Sequence, residues 1–354
     1  MGTNSWLERA ACLVIGTFTV CLLRPTTATA SSDAPPLPSK SVALSSQEGD
    51  NFIHPAFQDM LDVIRSRDGF IAALDQSGGS TPKALEAVGL ISDRDYVVGE
   101  PSMYDAIHSV RSRLMTSTAF MSDRILGAIL FEDTAFHRQV EGIPTPQYLW
   151  EQKRIVPFLK IDKGMQDEQD GVQLLKDIPN LETLVKEAAS RGIFGTKMRS
   201  LIRHANIEGI EAVVAQQFAV AKKIIAASGL IPIIEPEVDI YCPDKVKCEE
   251  ILRNSILRHL DALNEDETVI LKLSLPSTDN IYEPCANHPR CLRLVALSGG
   301  YSRQEANNIL ERQSKMIASF SRALVEGISM SMEDAEFDPV LKASIDSIYR
   351  SSLT

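Results

Sequence analysis

The chain has 354 residues, 44% of them hydrophobic, 23% charged and 6% aromatic, with a formal net charge of −11. That length buries a large core, and the composition is that of a soluble globular protein. The acidic balance argues against nucleic acid as a partner, since phosphate binding wants a basic surface, but it leaves room for a local basic pocket.

Residues 1–30 read as a signal-like targeting segment. Arg9 precedes the apolar run "ACLVIGTFTVCLL" (11–23), and "ATA" (28–30) has the small residues of a cleavage site. Residues 31–51 are rich in Ser and Pro and are expected to form a disordered linker. The fold is expected over residues 52–354, as a single domain with a C-terminal helical tail. Past the leader no stretch is long and apolar enough to span a bilayer, so no membrane partner is expected for the mature protein. The leader favours an organellar destination, a plastid reached through the secretory route. Secretion, or the cytoplasm if the leader does not function, are the alternatives.

From residue 52 onward, short apolar runs alternate with amphipathic stretches. In chain order the predicted strands are "GFIAALD" (69–75), "ILGAILF" (125–131), "IVPFLKID" (155–162) and "IFGTKMR" (193–199). They continue with "IPIIEPEVD" (231–239), "TVILKLSLP" (268–276), "RLVALSGG" (293–300) and "MIASFSRAL" (316–324). Helical patterns lie between them, such as "GIEAVVAQQFAVAKKIIAASG", which closes on Gly229. Repeated strand–helix units predict a parallel sheet, and eight of them over about 250 residues predict an α/β fold of the (β/α)8 TIM barrel type. An open doubly wound sheet is the runner-up, disfavoured because no Gly-rich first turn is present.

Lys272 interrupts the apolar run of its strand. Alternation places Ile270, Lys272 and Ser274 on one face and Val269, Leu271, Leu273 and Leu275 on the other. A lone lysine in such a place usually snorkels to water. Other strands repeat the pattern, however: Asp75 shares a face with Ile71 and Ala73, Lys160 and Asp162 with Phe158, Lys197 with Arg199, and Glu235, Glu237 and Asp239 with Ile233. The polar residues gather toward the C-terminal half of each strand, where such a barrel builds its active site. Charges from several strands therefore converge on one lumen.

A buried lysine among other cations is biased toward the neutral amine, and Lys197 and Arg199 are expected to press on Lys272, with Lys160 further off. A neutral amine attacks a ketone to form an imine, an electron sink that lets the adjacent carbon–carbon bond break. Glu235 and Glu237 offer the acid and base groups that this sequence of proton transfers needs. Ser298, Gly299 and Gly300 follow the seventh strand, and Ser319, Ser321 and Arg322 end the eighth, where barrels of this architecture bind phosphate. A second cluster, "DQSGGS" (75–80), brings Ser77 and Ser80 to the same rim, across from Lys160 and Arg199. Two anion sites flanking an imine-forming lysine point to a sugar bisphosphate. No metal or other cofactor is expected, because His108, His137, His204 and His288 are scattered. The C-x5-C pairs Cys242/Cys248 and Cys285/Cys291 fit no zinc spacing; free thiols are expected, with a redox-sensitive bridge as the alternative.

At these residues the chain resembles the class I fructose-1,6-bisphosphate aldolases. The motifs "ALDQSGGS", "FLKIDKG", "FGTKMRS", "IIEPEVD", "LKLSLP", "LSGGYS" and "SFSRAL" stand in family order across residues 52–324. The resemblance implies a metal-independent lyase that cleaves fructose 1,6-bisphosphate to dihydroxyacetone phosphate and glyceraldehyde 3-phosphate. It implies Lys272 as the Schiff-base lysine, Glu235 as the general acid/base, Glu237 orienting the lysines, Lys197 assisting proton transfer, and Asp75 positioning hydroxyls at the cleaved bond. Lys160, Arg199, Ser77 and Ser80 would contact the 6-phosphate side. Ser298, Gly299, Gly300, Ser319, Ser321 and Arg322 would hold the 1-phosphate. A homo-oligomer is expected.

Three departures point to the divergent, bacterial-like branch. Gln76 stands where the animal-type enzymes carry Glu, Ser321 stands where they carry Gly, and "YRSSLT" lacks their C-terminal tyrosine, so Tyr349 is given no role by analogy. Two rivals are a transaldolase-like imine-forming enzyme, which needs only one phosphate site, and a non-catalytic binding or scaffold protein on the same barrel.

Overall fold

A computed structural model describes residues 54–353; the expected leader and linker lie outside the described residues. Eight strands form the frame: β1 (Phe70–Leu74), β2 (Ile125–Leu130), β3 (Val156–Lys160), β4 (Gly195–Ile202), β5 (Ile231–Val238), β6 (Val269–Ser274), β7 (Cys291–Leu297) and β8 (Met316–Ala318). Neighbours in sequence are neighbours in the sheet, and every pairing along this path is parallel. The Ala73 N–H donates to the Phe320 carbonyl at 3.1 Å, which returns β8 to β1. The molecule is a (β/α)8 barrel.

All eight expected strands are present, and seven of them end close to where the pattern places them. The eighth stops early: β8 ends at Ala318, and a short helix, α5 (Arg322–Val325), follows. Once the Phe320 carbonyl has been spent on β1, Ser321 bends the chain (φ −113°, ψ −81°), and "RALV" starts a short helix. Gly327, at φ +85°, lies two residues past its end.

Inside the ring the first layers are apolar. Ile71 and Ala73, Val156 and Phe158, Ile231 and Ile233, Ile270, Val295 and Ile317 form one fully packed cluster. Each such side chain taken from water contributes about 1.5–3 kcal/mol. Phe158 fits because glycines face it. A Cβ on Gly127 would lie 2.8 Å from its ring, and one on Gly195 would lie 2.9 Å from it and 2.2 Å from the Ile231 carbonyl. α1 (Phe57–Ser66) is amphipathic; its buried Met60 and Ile64 join the same cluster and stopper the N-terminal mouth. The Phe57 ring lies 4.9 Å from that of Phe194, which in turn meets Phe158 edge-on at 5.5 Å.

A second, larger core fills the space between strands and outer helices. α2 (Pro101–Thr116) opens with Pro at its first turn, where no N–H is needed. α3 (Ile207–Ser228) is capped by Asn206, which accepts from the Gly209 N–H, and it closes on Gly229 at φ +70°. α4 (Lys245–Asp261) follows β5, and α6 (Asp334–Ser351) is the C-terminal tail helix, burying Phe337, Leu341, Ile345 and Ile348. Tyr349 lies under the Arg124 guanidinium, 4.4 Å from its ring, beside the N-terminal end of β2 and so away from the rim. Cys242, Cys248, Cys285 and Cys291 are buried free thiols. No helix among the described residues is long and apolar enough to cross a membrane.

Candidate active site

One cavity of about 470 Å³ opens at the C-terminal ends of the strands. Fourteen of the fifteen expected site residues line it: Asp75, Ser77, Ser80, Lys160, Lys197, Arg199, Glu235, Glu237, Lys272, Ser298, Gly299, Ser319, Ser321 and Arg322. Gly300 lies just outside, and a Cβ there would meet the Arg322 guanidinium at 3.5 Å.

Strand register sets the ionic layer. Lys160 pairs with Lys197 across β3 and β4, and Arg199 pairs with Glu235 across β4 and β5. At the floor a chain of alternating charges runs across the lumen. Lys197 Nζ lies 2.6 Å from Asp75 Oδ2 and 2.7 Å from Glu235 Oε2, while Lys272 Nζ lies 3.3 Å from Glu235 Oε1. Lys197, Glu235 and Lys272 are each only 3% exposed. Two ammonium groups and two carboxylates make the cluster formally neutral, which is how such a layer survives burial.

Burial alone would push the Asp75 carboxyl up, but Lys197, then Lys272 and Lys160, outweigh it and hold it well below the ordinary carboxylate range. Burial would likewise pull Lys197 down, yet Asp75, Glu235 and Asp162 raise it above a free lysine. The reverse holds for Lys160, where burial dominates and the ammonium is pulled down despite its partner Asp162. Glu237 is pushed up by burial, with Arg199, at 3.1 Å, acting against that.

The electrostatics differ from the sequence expectation in two respects. Lys197 and Arg199 do not face Lys272 as bare cations. Lys197 is clamped between two carboxylates and Arg199 is held by Glu237, so much of the expected cationic pressure is cancelled. The partner of Lys272 is Glu235. Glu237 faces Arg199 rather than a lysine.

At the rim, the Ser319 hydroxyl is buried with no hydrogen-bond partner among the described residues, and Arg322 is exposed beside Gly300. Gly299 sits at φ +62°, and a Cβ there would come within 2.5 Å of Ile240, so the loop admits no side chain at that point. Ser77 and Ser80 are tied to each other, the Ser77 N–H donating to Ser80 Oγ at 3.1 Å.

Three further polar side chains line the cavity outside the expected site set: Gln76, Lys83 and Asp162. Asp162 shared the inward parity of Lys160, a usable signal. Lys83 follows "SGGSTP", whose proline marks a helix start, so its place in the first turn was also readable. Beneath Gln76 lies Arg111, 1% exposed, whose guanidinium is pulled down to about 10 by burial while Asp75 and Asp133 act against that.

Fold and site together define a (β/α)8-barrel protein with a buried lysine–carboxylate floor and cations on its rim. The family model "Fructose-bisphosphate aldolase class-I" matches residues 63–281. The chain is 54% identical to a class 1 fructose-bisphosphate aldolase of Synechocystis sp., over 84% of this chain and 98% of that one. Its identity to the Porphyromonas gingivalis protein of the same name is 52%, over 84% and 99%. The chain belongs to the class I fructose-bisphosphate aldolase family. Among solved structures, the fructose-bisphosphate aldolase of Plasmodium falciparum superposes with a TM-score of 0.65 at 18% identity, covering 87% of this chain and 98% of that one. Half-identity to bacterial chains places this sequence in the divergent, bacterial-like branch; the distant likeness speaks for the fold alone.

Proposed function

We propose that the protein catalyses the reversible aldol cleavage of fructose 1,6-bisphosphate to dihydroxyacetone phosphate and glyceraldehyde 3-phosphate through an imine on Lys272. The observation that carries this reading is the contact of Lys272 with Glu235, in a floor where Glu235 is also bound to Lys197. The Lys272 amine attacks the C2 ketone, and the carbinolamine loses water with Glu235 as the proton carrier, 3.3 Å away. Removal of the C4 hydroxyl proton lets the C3–C4 pair flow into the iminium, releasing the aldehyde and leaving an enamine. Protonation at C3 and hydrolysis return the amine and free the ketose phosphate. Asp75, held ionised by the lysines, positions the hydroxyls at the breaking bond, and Lys197 keeps Asp75 and Glu235 in place.

Glu237 keeps Arg199 oriented, and Lys160, Arg199, Ser77 and Ser80 take the 6-phosphate. Ser298, Gly299, Gly300, Ser319, Ser321 and Arg322 take the 1-phosphate, for which the unpartnered Ser319 hydroxyl and the positive-φ backbone of Gly299 are suited. The leader directs the chain to a plastid, and the active form is a homo-oligomer; a fluorescent fusion of residues 1–51 and sedimentation of the mature chain check these two statements. The reaction itself is tested by borohydride reduction with and without dihydroxyacetone phosphate, followed by peptide mass mapping. An adduct on Lys272 that depends on the ketose phosphate is expected. A folded protein that yields none overturns the proposal.

A further inference from the structure

The two internal departures from the animal-type pattern, Gln76 and Ser321, touch each other. Gln76 Nε2 donates to Ser321 Oγ, joining the loop after β1 to the residue that opens α5. Behind Gln76 stands Arg111 of α2, a buried guanidinium with no carboxylate bonded to it among the described residues. Its Nη1 donates to Thr134 Oγ1 at 2.7 Å, and its Nη2 to the Gln76 carbonyl at 2.7 Å and to Gln76 Oε1 at 3.3 Å.

These partners fix which way the Gln76 amide points. A guanidinium only donates, so the end facing it is the oxygen. The Ala73 carbonyl only accepts, and Gln76 Nε2 reaches it at 3.3 Å, so the other end is the NH2 group. Ser321 Oγ therefore receives a hydrogen, and its own O–H is left to donate. That hydroxyl lines the cavity together with Ser298, Ser319 and Arg322.

We infer that Arg111, Gln76 and Ser321 form a polar relay of fixed direction, in which Gln76 is a positioning residue that makes Ser321 a donor to the phosphate of a three-carbon ketose phosphate. The inference rests on the proposed aldol reading for the identity of that ligand. It also accounts for the pairing of the two departures. A carboxylate at position 76 would only accept, turning the Ser321 O–H inward and adding a negative charge beside the anion.

The test is calorimetric titration with dihydroxyacetone phosphate, with phosphate-free dihydroxyacetone as the control ligand. Gln76→Glu is expected to weaken the phosphate-dependent binding by about tenfold or more, as for a lost hydrogen bond to a charged group. Ser321→Ala is expected to weaken it about fivefold in the parent protein and to have no further effect in the Gln76→Glu background. That conditional effect separates the relay from a merely structural role, which would move the melting temperature instead. Gln76→Met, nearly isosteric and uncharged, serves if Gln76→Glu does not fold, and is expected to weaken binding severalfold. Unchanged affinity in the Gln76 variants, or losses that simply add in the double variant, overturns the relay. Borohydride mapping at saturating ligand separates the two readings. A Lys272 adduct with unresponsive affinities removes the relay alone; the expected affinity pattern without an adduct removes the aldol reading and leaves the relay standing.

Discussion

The lower and upper halves of the lumen are built by the same strands on the same face, two residues apart, and behave as opposite materials. Ile233 is followed inward by Glu235, Ile270 by Lys272, Phe158 by Lys160 and Ala73 by Asp75. Below, any polar group would be stranded, and cohesion comes from apolar burial around the α1 stopper. Above, the floor is still buried, but each of its ammonium groups has a carboxylate within about 3.3 Å. In this floor each buried charge is held as a member of a pair. The rigid lower half fixes the positions at which the upper half does chemistry.

If that division holds, damage to the upper half strikes activity first and damage to the lower half strikes stability first. The largest effect is expected for Lys272→Met, which keeps the side-chain length and removes the nucleophile. Turnover should fall by at least about 10⁵-fold, with the circular dichroism spectrum unchanged. Retained turnover in a steady-state assay would sink the imine assignment. Next, Ile233→Ala should cost about 2–5 kcal/mol in a urea titration while the Lys272 adduct still forms below the melting temperature. Lys197→Met should cost about 3–5 kcal/mol, because it leaves Asp75 and Glu235 buried without their shared cation, and it should also depress kcat. If Ile233→Ala abolished the adduct at temperatures where the protein is folded, the two halves would not be separable.

Much of this division is legible in the sequence alone, because it is written in strand alternation. One charged residue in an apolar strand is ambiguous; inward charges at the same height on several strands are not. What alternation cannot give is who pairs with whom. Lys197 and Arg199 were visible as cations, but their neutralisation by Asp75, Glu235 and Glu237 depends on register between strands, which no single strand encodes. Arg111 was hidden for a related reason. In "AIHSVRSRLM" it reads as a polar position on a helix, and becomes buried only because the loop carrying Gln76 folds over it. The early end of β8 was missed because "MIASFSRAL" alternates well as a strand, whereas the chain there turns once Phe320 has bonded to β1.

Arg322 sharpens the contrast from the exposed side. It is a rim cation without a bonded partner among the described residues, so Arg322→Ala should leave the urea midpoint nearly unchanged and raise KM about tenfold through the 1-phosphate. An unchanged KM would mean that this phosphate is held elsewhere.

The smallest expected effect is a difference in pH response between two carboxyls on the same site. Asp75 has a folded pKa below its unfolded value near 3.8, so its contribution to stability is complete above that value and is lost as pH falls through the depressed one. Glu237 is shifted the other way. Its folded pKa lies above the ordinary 4.5, so its contribution is complete below 4.5 and is lost as pH rises through the raised value. The two act in separate windows, Asp75 below about 3.8 and Glu237 above 4.5. Replacing Glu237 with Gln removes only the second contribution. Urea midpoints measured from pH 3 to pH 7 should then decline above pH 4.5 in the parent and decline less in Glu237→Gln, while the acid limb set by Asp75 is retained. Parallel profiles for the two proteins would mean that Arg199 already compensates fully for the burial of Glu237, and that the paired-charge rule of the floor extends to the rim.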